Sequence, residues 1–220
     1  MATKTREKIK KAAIEMFNEK CATNVSTVQL SERLHISPGN LYYYYDNKEH
    51  LIKSIWEEDI CPIIEKIFSR EDFGHSENGI LNLFNDYLNV MNTYRFFYME
   101  LYALLHNDPD LKTIYVEHFN KIKERMYVVF DAWTEIGIMK PAGSEVKSVF
   151  ADNLWVIGQK WSDYADKMYG YKDQASIVKD TIIHISCMLA PYFTDQANER
   201  MQILLKNRGF LHDTENDTAE

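Results

Sequence analysis

Val25-Ser-Thr-Val-Gln-Leu-Ser-Glu-Arg-Leu-His-Ile-Ser-Pro-Gly-Asn-Leu-Tyr-Tyr-Tyr-Tyr-Asp-Asn-Lys-Glu-His50 is the stretch that decides the fold. It reads as two short helices joined by a tight turn, with a third helix starting at Lys48. Ser26 is placed to cap the first helix, and Gln29, three residues on, completes a capping box. Val25, before the cap, can staple against Leu30. Leu30 and Leu34 form one apolar face, and Ile36 points back to it after the turn. A second start signal stands at Ser37, with Pro38 at the first helical position, where its missing N–H costs nothing. Leu41 and Tyr45, four apart, tie that helix inward and leave Gly39, Asn40, Tyr42, Tyr43 and Tyr44 on the outer side. Small and polar residues opening a second helix, followed by tyrosines, suit a helix that enters a DNA groove.

Leu41-Tyr42, Tyr45, Lys48-Glu49 and Leu51, behind a capped helix and a turn, resemble the DNA-binding region of the TetR repressor family. One position departs from that family's pattern. The turn carries His35 where the family usually has Gly, and His tolerates a positive φ better than most residues. Further on, Tyr94-Arg-Phe-Phe-Tyr-Met-Glu-Leu, followed by Asn107-Asp-Pro-Asp-Leu, is similar to one subgroup of the same family. The resemblance implies an all-α chain with a three-helix helix-turn-helix DNA-binding head over residues 1–46. It also implies a larger helical effector-binding and dimerisation body over 47–209. Residues 210–220 read as a disordered tail.

The resemblance also places the DNA-facing residues. Thr27, just inside the second helix, Tyr42, Tyr44 and Lys48 fall where the family contacts the phosphate backbone. Lys48 opens a helix, so its charge and the helix N-terminus would favour an anion together. Ser37, Gly39, Asn40 and Tyr43 are the candidates for base edges. An Asn can bond bidentately to adenine, Gly39 allows close approach, and the Tyr43 ring can cover a thymine methyl. Val28 stands where relatives can carry an Arg that reads guanine. Lys4 and Arg6 read as a flexible arm reaching phosphate or the minor groove.

Charge is distributed in keeping with this. The net charge is −8, yet residues 1–55 hold nine Lys/Arg against six Asp/Glu, a net of +3. The remainder holds 16 against 27, a net of −11. A basic head on an acidic body orients itself toward phosphate. Cys21, Cys61 and Cys187 are odd in number, widely spaced and without a CxxC, which reads as reduced thiols in a cytosolic protein. The apolar runs are too short for a membrane span, and the N-terminus lacks the apolar core of a signal peptide. The expected location is cytoplasmic, with no membrane partner.

The remaining chain reads as helices throughout. Ile9, Ala12, Ala13, Met16 and Phe17 stripe a helix over residues 4–20. The helix opened at Lys48 should run to about residue 68, with a kink or break at Cys61-Pro62. Glu71-Asp-Phe-Gly-His-Ser76 is the clearest loop. Helices are then expected from 77 to the low nineties, over 94–106, from 108 to about 137, and over 144–170. Two more follow, over 173–189 and ending near 209. In the helix over 173–189, Ile177, Val178, Ile182, Ile183, Ile185, Met188 and Leu189 cover more than one face, so burial from two sides is expected and a partner subunit would supply the second.

Aromatic residues crowd the body and share faces with a few polar groups, Asn85, His106, His118, Asn153 and Gln159. An apolar cavity with convergent polar groups is the usual form of a small-molecule site. The candidates for a mostly apolar effector are Trp56, Phe84, Tyr87, Tyr98, Tyr102, His106, Phe119, Trp133 and Gln159. No HExxH, Gly-rich phosphate loop or GxSxG occurs, and the sole Glu-x-x-His, Glu32 to His35, lies in the head. No catalytic residue, metal site or cofactor is therefore assigned. The expected partners are double-stranded operator DNA, a small-molecule effector and a second copy of the chain. The expected role is a homodimeric repressor that leaves a palindromic operator when ligand binds. A ligand-independent or activating regulator of the same fold, or a helical interaction module that does not touch DNA, would be the alternatives.

Overall fold

The computed structural model of the protein describes residues 2–70, 76–170 and 173–211. The loop expected at 71–76 falls, but for Ser76, outside the described residues, and so does the tail from 212 on. Within them the chain is all-α, with no β-strand among the described residues. In order, the helices are α1 Ala2–Lys20, α2 Thr27–Leu34, α3 Pro38–Tyr44, α4 Lys48–Ile55, α5 Cys61–Phe68 and α6 Glu77–Thr93. They continue with α7 Arg95–Met99, α8 Leu101–Asn107, α9 Pro109–Glu135, α10 Ser144–Tyr169, α11 Gln174–Leu189 and α12 Asp195–Asn207. The chain divides into two compact units, Met1–Glu65 with Val90–Phe119, and Lys66–Asn89 with Asn120–Glu220.

The first unit contains the helix-turn-helix, and its local signals act as their chemistry dictates. Ser26 Oγ accepts from the Gln29 N–H at 3.2 Å, and Gln29 Oε1 accepts from the Ser26 N–H at 2.9 Å, closing the capping box. Helix α2 ends at His35, which takes a left-handed conformation with φ 54°. The Ile36 N–H then reaches back to the Ser31 carbonyl at 3.0 Å, the bond pattern that satisfies the last carbonyls of a helix. Ser37 caps α3 and Asn47 caps α4 in the same side-chain-to-backbone manner. Ile9, Ala13, Phe17, Leu30, Leu41 and Tyr45 form the buried core of this head.

Two helix boundaries differ from the sequence reading. The expected break at Cys61-Pro62 is a single π-helical turn, Trp56–Ile60, lying just before it, with the Cys61 N–H bonded to the Trp56 carbonyl. A wider turn upstream lets the helix absorb the ring and the missing donor of Pro62 and continue into α5. The single helix expected over 94–106 is two, because Glu100 leaves helical geometry at φ −97°, ψ 9°. Its carboxylate accepts from the N–H groups of Ala22 and Thr23, closing the short 3₁₀ turn Ala22–Asn24. The bend also lets Phe96, Phe97 and Tyr98, three consecutive rings, all be buried. Asn18 binds this segment to α1, accepting from the Phe96 N–H at 3.0 Å and donating to the Thr93 carbonyl at 2.9 Å.

In the second unit α10 and α11 pack along one another, with the Trp161 indole N–H donating to Asp180 at 2.7 Å. Ile182, Ile185 and Leu189 of α11 are buried within the chain itself, while Ile183 and Met188 are half-buried. Arg200 of α12 pairs with Glu77 at 2.6 Å, and Arg208 donates to Asn82 at 2.7 Å. Gly137 ends the turn after α9 at φ 74°, after which the Thr194 N–H bonds the Ile138 carbonyl at 2.9 Å.

Candidate nucleic-acid interface

Helix α3 presents two sharply different sides. Leu41 and Tyr45 are fully buried, whereas Ser37, Gly39, Asn40, Tyr42 and Tyr43 are exposed, Tyr43 to 78%. Tyr44 is half-buried and lies edge-on to Tyr43, with ring centroids 5.0 Å apart. A Cβ added at Gly39 would meet nothing within 4 Å. Packing inside the protein therefore does not demand glycine there, and its smoothness is available to an approaching molecule. The Thr27 and Tyr42 hydroxyls hydrogen-bond at 2.9 Å, so the opening of α2 and the middle of α3 share one polar surface. The Ser37 hydroxyl accepts from the Asn40 N–H at 3.2 Å as the cap of α3, which leaves the Asn40 amide exposed.

Three of the expected contacts are used differently by the fold. Lys48 does open α4, but its ammonium donates to the carbonyls of Ala22 at 2.7 Å and Val25 at 3.2 Å. It therefore clamps the loop between α1 and α2. Lys4 and Arg6 belong to helix α1 rather than to an extended arm. The Arg6 guanidinium is held by Glu58 at 2.6 Å and Ser54 at 3.3 Å, and lies 5.3 Å from the Tyr45 ring centroid. Lys4 remains exposed.

Beneath this face sits a charge cluster that the sequence did not announce. Lys10, only 3% exposed, donates to Asp59 at 3.0 Å and Glu58 at 3.1 Å and pairs with Glu7 at 3.2 Å. Burial would lower the Lys10 pKa, but its carboxylate partners outweigh it and hold the ammonium well above its ordinary value. The two acids respond in opposite directions. Burial would raise Glu58, yet hydrogen bonds from Lys10 and Arg6 hold it below the usual carboxylate range. Asp59 is more buried and has Lys10 alone as hydrogen-bonding cation, so desolvation wins and its pKa rises. Burial also pushes Tyr45 up to about 12.

The ligand candidates separate between the two units. Phe84, Tyr87 and Trp133 line a small apolar cavity of about 30 Å³ in the second unit, together with Met126, Phe130 and Trp155. The Trp133 indole N–H is buried and has no hydrogen-bond partner among the described residues. Gln159 is buried on α10 but does not line this space. Trp56, Tyr98 and Phe119 belong to the first unit, where Trp56 stacks on Phe97 at 4.9 Å. Tyr102, 69% exposed, and His106 lie on the surface of α8. Met126, Val129, Phe130 and Trp133 recur at helical spacing on α9 and form one wall of the cavity.

An exposed second helix on a capped helix-turn-helix, carried by an all-helical body, defines a DNA-binding regulator. A family model described as a bacterial transcriptional repressor, TetR, matches residues 65–201, and one for bacterial regulatory proteins of the tetR family matches residues 9–55. The chain belongs to the TetR family of transcriptional regulators.

The biofilm operon icaADBC HTH-type negative transcriptional regulator IcaR of Staphylococcus epidermidis is 27% identical over 114 residues, covering 51% of this chain and 60% of that protein. The HTH-type transcriptional regulator SAB2452 of Staphylococcus aureus is 26% identical over 87 residues, 40% of this chain and 47% of that protein. The chain thus matches about half the length of these curated relatives. A TetR-family regulator from Marinobacter aquaeolei VT8 has the same fold at TM-score 0.84 and 26% identity, covering 92% of this chain and 98% of that one. A SmeT–triclosan complex shares the fold at TM-score 0.62 and 16% identity, over 88% and 93% of the two chains. Among the described residues no helix is long and apolar enough to cross a membrane.

Proposed function

We propose that the protein is a homodimeric, cytoplasmic transcriptional repressor that binds a palindromic operator and is released by a small, mostly apolar ligand. The observation that carries the reading is the exposed face of α3, where Gly39, Asn40 and Tyr43 are not needed by the protein's own packing. In this reading residues 1–46 bind DNA, residues 47–209 hold the effector and the dimer interface, and no catalysis is assigned. Asn40 reads a base, with Gly39, Ser37 and Tyr43 beside it, while Thr27, Tyr42, Tyr44 and Lys4 contact phosphate or sugar. Lys48 acts through the loop that it clamps as well as through its charge, and Arg6 holds α1 in place.

The negative regulator IcaR among the relatives favours repression over activation. The apolar cavity of the second unit, with the indole N–H of Trp133 lacking a partner, favours an effector that is apolar and bears one acceptor. A cavity of about 30 Å³ holds little more than a water. Ligand entry would therefore require the α9 and α10 walls to part, and that rearrangement supplies the energy difference between two states that a switch needs. SmeT with triclosan is a precedent for a small aromatic ligand in this fold. Operator selection from a random duplex pool, using the full chain with and without candidate ligands, tests the reading. Enrichment of a two-fold symmetric site with half-sites about one helical turn apart is expected. Enrichment of an asymmetric site, or of none, would reject the dimeric repressor.

A further inference from the structure

Cys61 and His118 form a cluster of reactive side chains that DNA binding does not use. Cys61 Sγ lies 3.2 Å from His118 Nδ1, and Glu65 Oε1 lies 3.9 Å from the same nitrogen. Cys61 and Glu65 are one helical turn apart on α5, so both side chains reach the same ring on α9. His118 is only 5% exposed, and its ring stands edge-on to Trp56 with centroids 5.3 Å apart. Cys61 itself is partly open to solvent. A buried, fixed base thus faces a thiol that a small molecule can reach.

We propose that Cys61 and His118 form a covalent site, a thiolate–imidazolium pair that captures soft carbon electrophiles of the α,β-unsaturated carbonyl class. The thiol proton passes to His118 Nδ1. Burial of the ring opposes the imidazolium charge, while the thiolate and the Glu65 carboxylate, both at Nδ1, favour it. In the addition, the sulfur electron pair forms the S–C bond at the β-carbon of the electrophile. The π pair of the C=C bond moves to the α-carbon, which takes up the proton carried by His118. Nothing is oxidised and no group leaves. Trp56, buried and stacked on Phe97, packs against the His118 ring and fixes its orientation toward the thiol. The site is separate from the cavity around Trp133, so its failure would leave the proposed function untouched.

The test follows alkylation of the intact chain by N-ethylmaleimide with peptide-resolved mass spectrometry, Cys21 and Cys187 serving as internal references. At pH 6, Cys61 is expected to react about tenfold faster than Cys187, although Cys187 is the more exposed thiol. Between pH 6 and 8 the Cys61 rate should climb less than about threefold in all, where a free thiol in a model peptide climbs nearly tenfold per unit. His118→Gln should restore the steep rise at Cys61. Glu65→Gln changes a half-exposed carboxylate and should lower the Cys61 rate at pH 6. A Cys61 rate below that of Cys187 throughout, or a flat profile that survives His118→Gln, overturns the proposal. If His118→Gln does not fold, the wild-type profile and Glu65→Gln decide it. Preferential sulfenylation of Cys61 by hydrogen peroxide, with no advantage toward the maleimide, would reject the electrophile class.

Discussion

Asn40 and Lys48 are held by the fold in opposite ways. The Asn40 side chain is exposed and only its backbone N–H is committed, so its replacement leaves the protein's structure alone. Asn40→Ala is expected to cost about 1–3 kcal/mol at one base pair and to relax the preference there. Competition binding against operator variants reads this directly, and equal weakening on all sequences would exclude a base-reading role. Lys48 holds two backbone carbonyls. Lys48→Ala should weaken binding to every duplex by a similar factor and also lower thermal stability by about 1–2 kcal/mol, since a charge-assisted clamp is lost. A variant with unchanged melting and weakened DNA binding would return Lys48 to a purely phosphate-facing role.

The π turn between α4 and α5 is where one element is fastened to another. It carries Glu58 and Asp59, both bound to the buried ammonium of Lys10 on α1. Lys10→Met would leave two neighbouring carboxylates without their shared cation. Removing one side of a buried pair costs about 3–5 kcal/mol, and the partial exposure of both acids brings the expected loss to about 2–4 kcal/mol in urea unfolding. The acid response follows from the two pKa directions. Glu58 is depressed, so its contribution to stability is present above its unfolded pKa and is lost as pH falls through its lower folded value. Asp59 is raised, so its carboxylate costs stability at neutral pH and acid relieves that cost. The stability gap between wild type and Glu58→Gln should therefore shrink as pH falls below about 4.5, the ordinary value. A gap independent of pH from 7 to 3 would mean that Glu58 is not held by these cations.

At the scale of the whole molecule, two substitutions on α10 test the dimer and the effector. Ile182, at the centre of α11, is wholly buried within one chain, so a charge there would test folding rather than association. Val156, in the middle of α10, is 56% exposed and apolar. Val156→Glu should leave the chain folded and helical by circular dichroism while sedimentation shows dissociation and specific operator binding is lost. A dimer that persists places the interface elsewhere. For the effector, Leu154→Trp overfills the cavity beside Trp133 at an expected cost of about 1–3 kcal/mol. It should abolish the ligand-induced rise in melting temperature and ligand release of DNA together, because both depend on the same bound state. Loss of one response without the other would separate the stabilising site from the switching site.

Local chemistry was legible in the sequence because it depends only on residues a few positions apart. The capping box of Ser26 and Gln29, the left-handed turn at His35, Pro38 at the start of α3 and the inward pair Leu41 and Tyr45 all follow from backbone sterics and helical period. The exposed face of α3 followed from the same rules, and the DNA-binding class from the resemblance of this stretch to the TetR family. What the tertiary structure alone decided depends on groups far apart in the chain. Lys48 reads as a phosphate contact until the carbonyls of Ala22 and Val25 come within its reach, and Arg6 reads as a free arm until Glu58 meets it. Glu100 breaks a helix to satisfy N–H groups near residue 22, a demand invisible in its own neighbours. Aromatic spacing marks Trp56, Tyr102 and Trp133 alike as apolar-face residues. Only long-range packing places Trp133 against a cavity, Trp56 in a closed stack and Tyr102 in solvent.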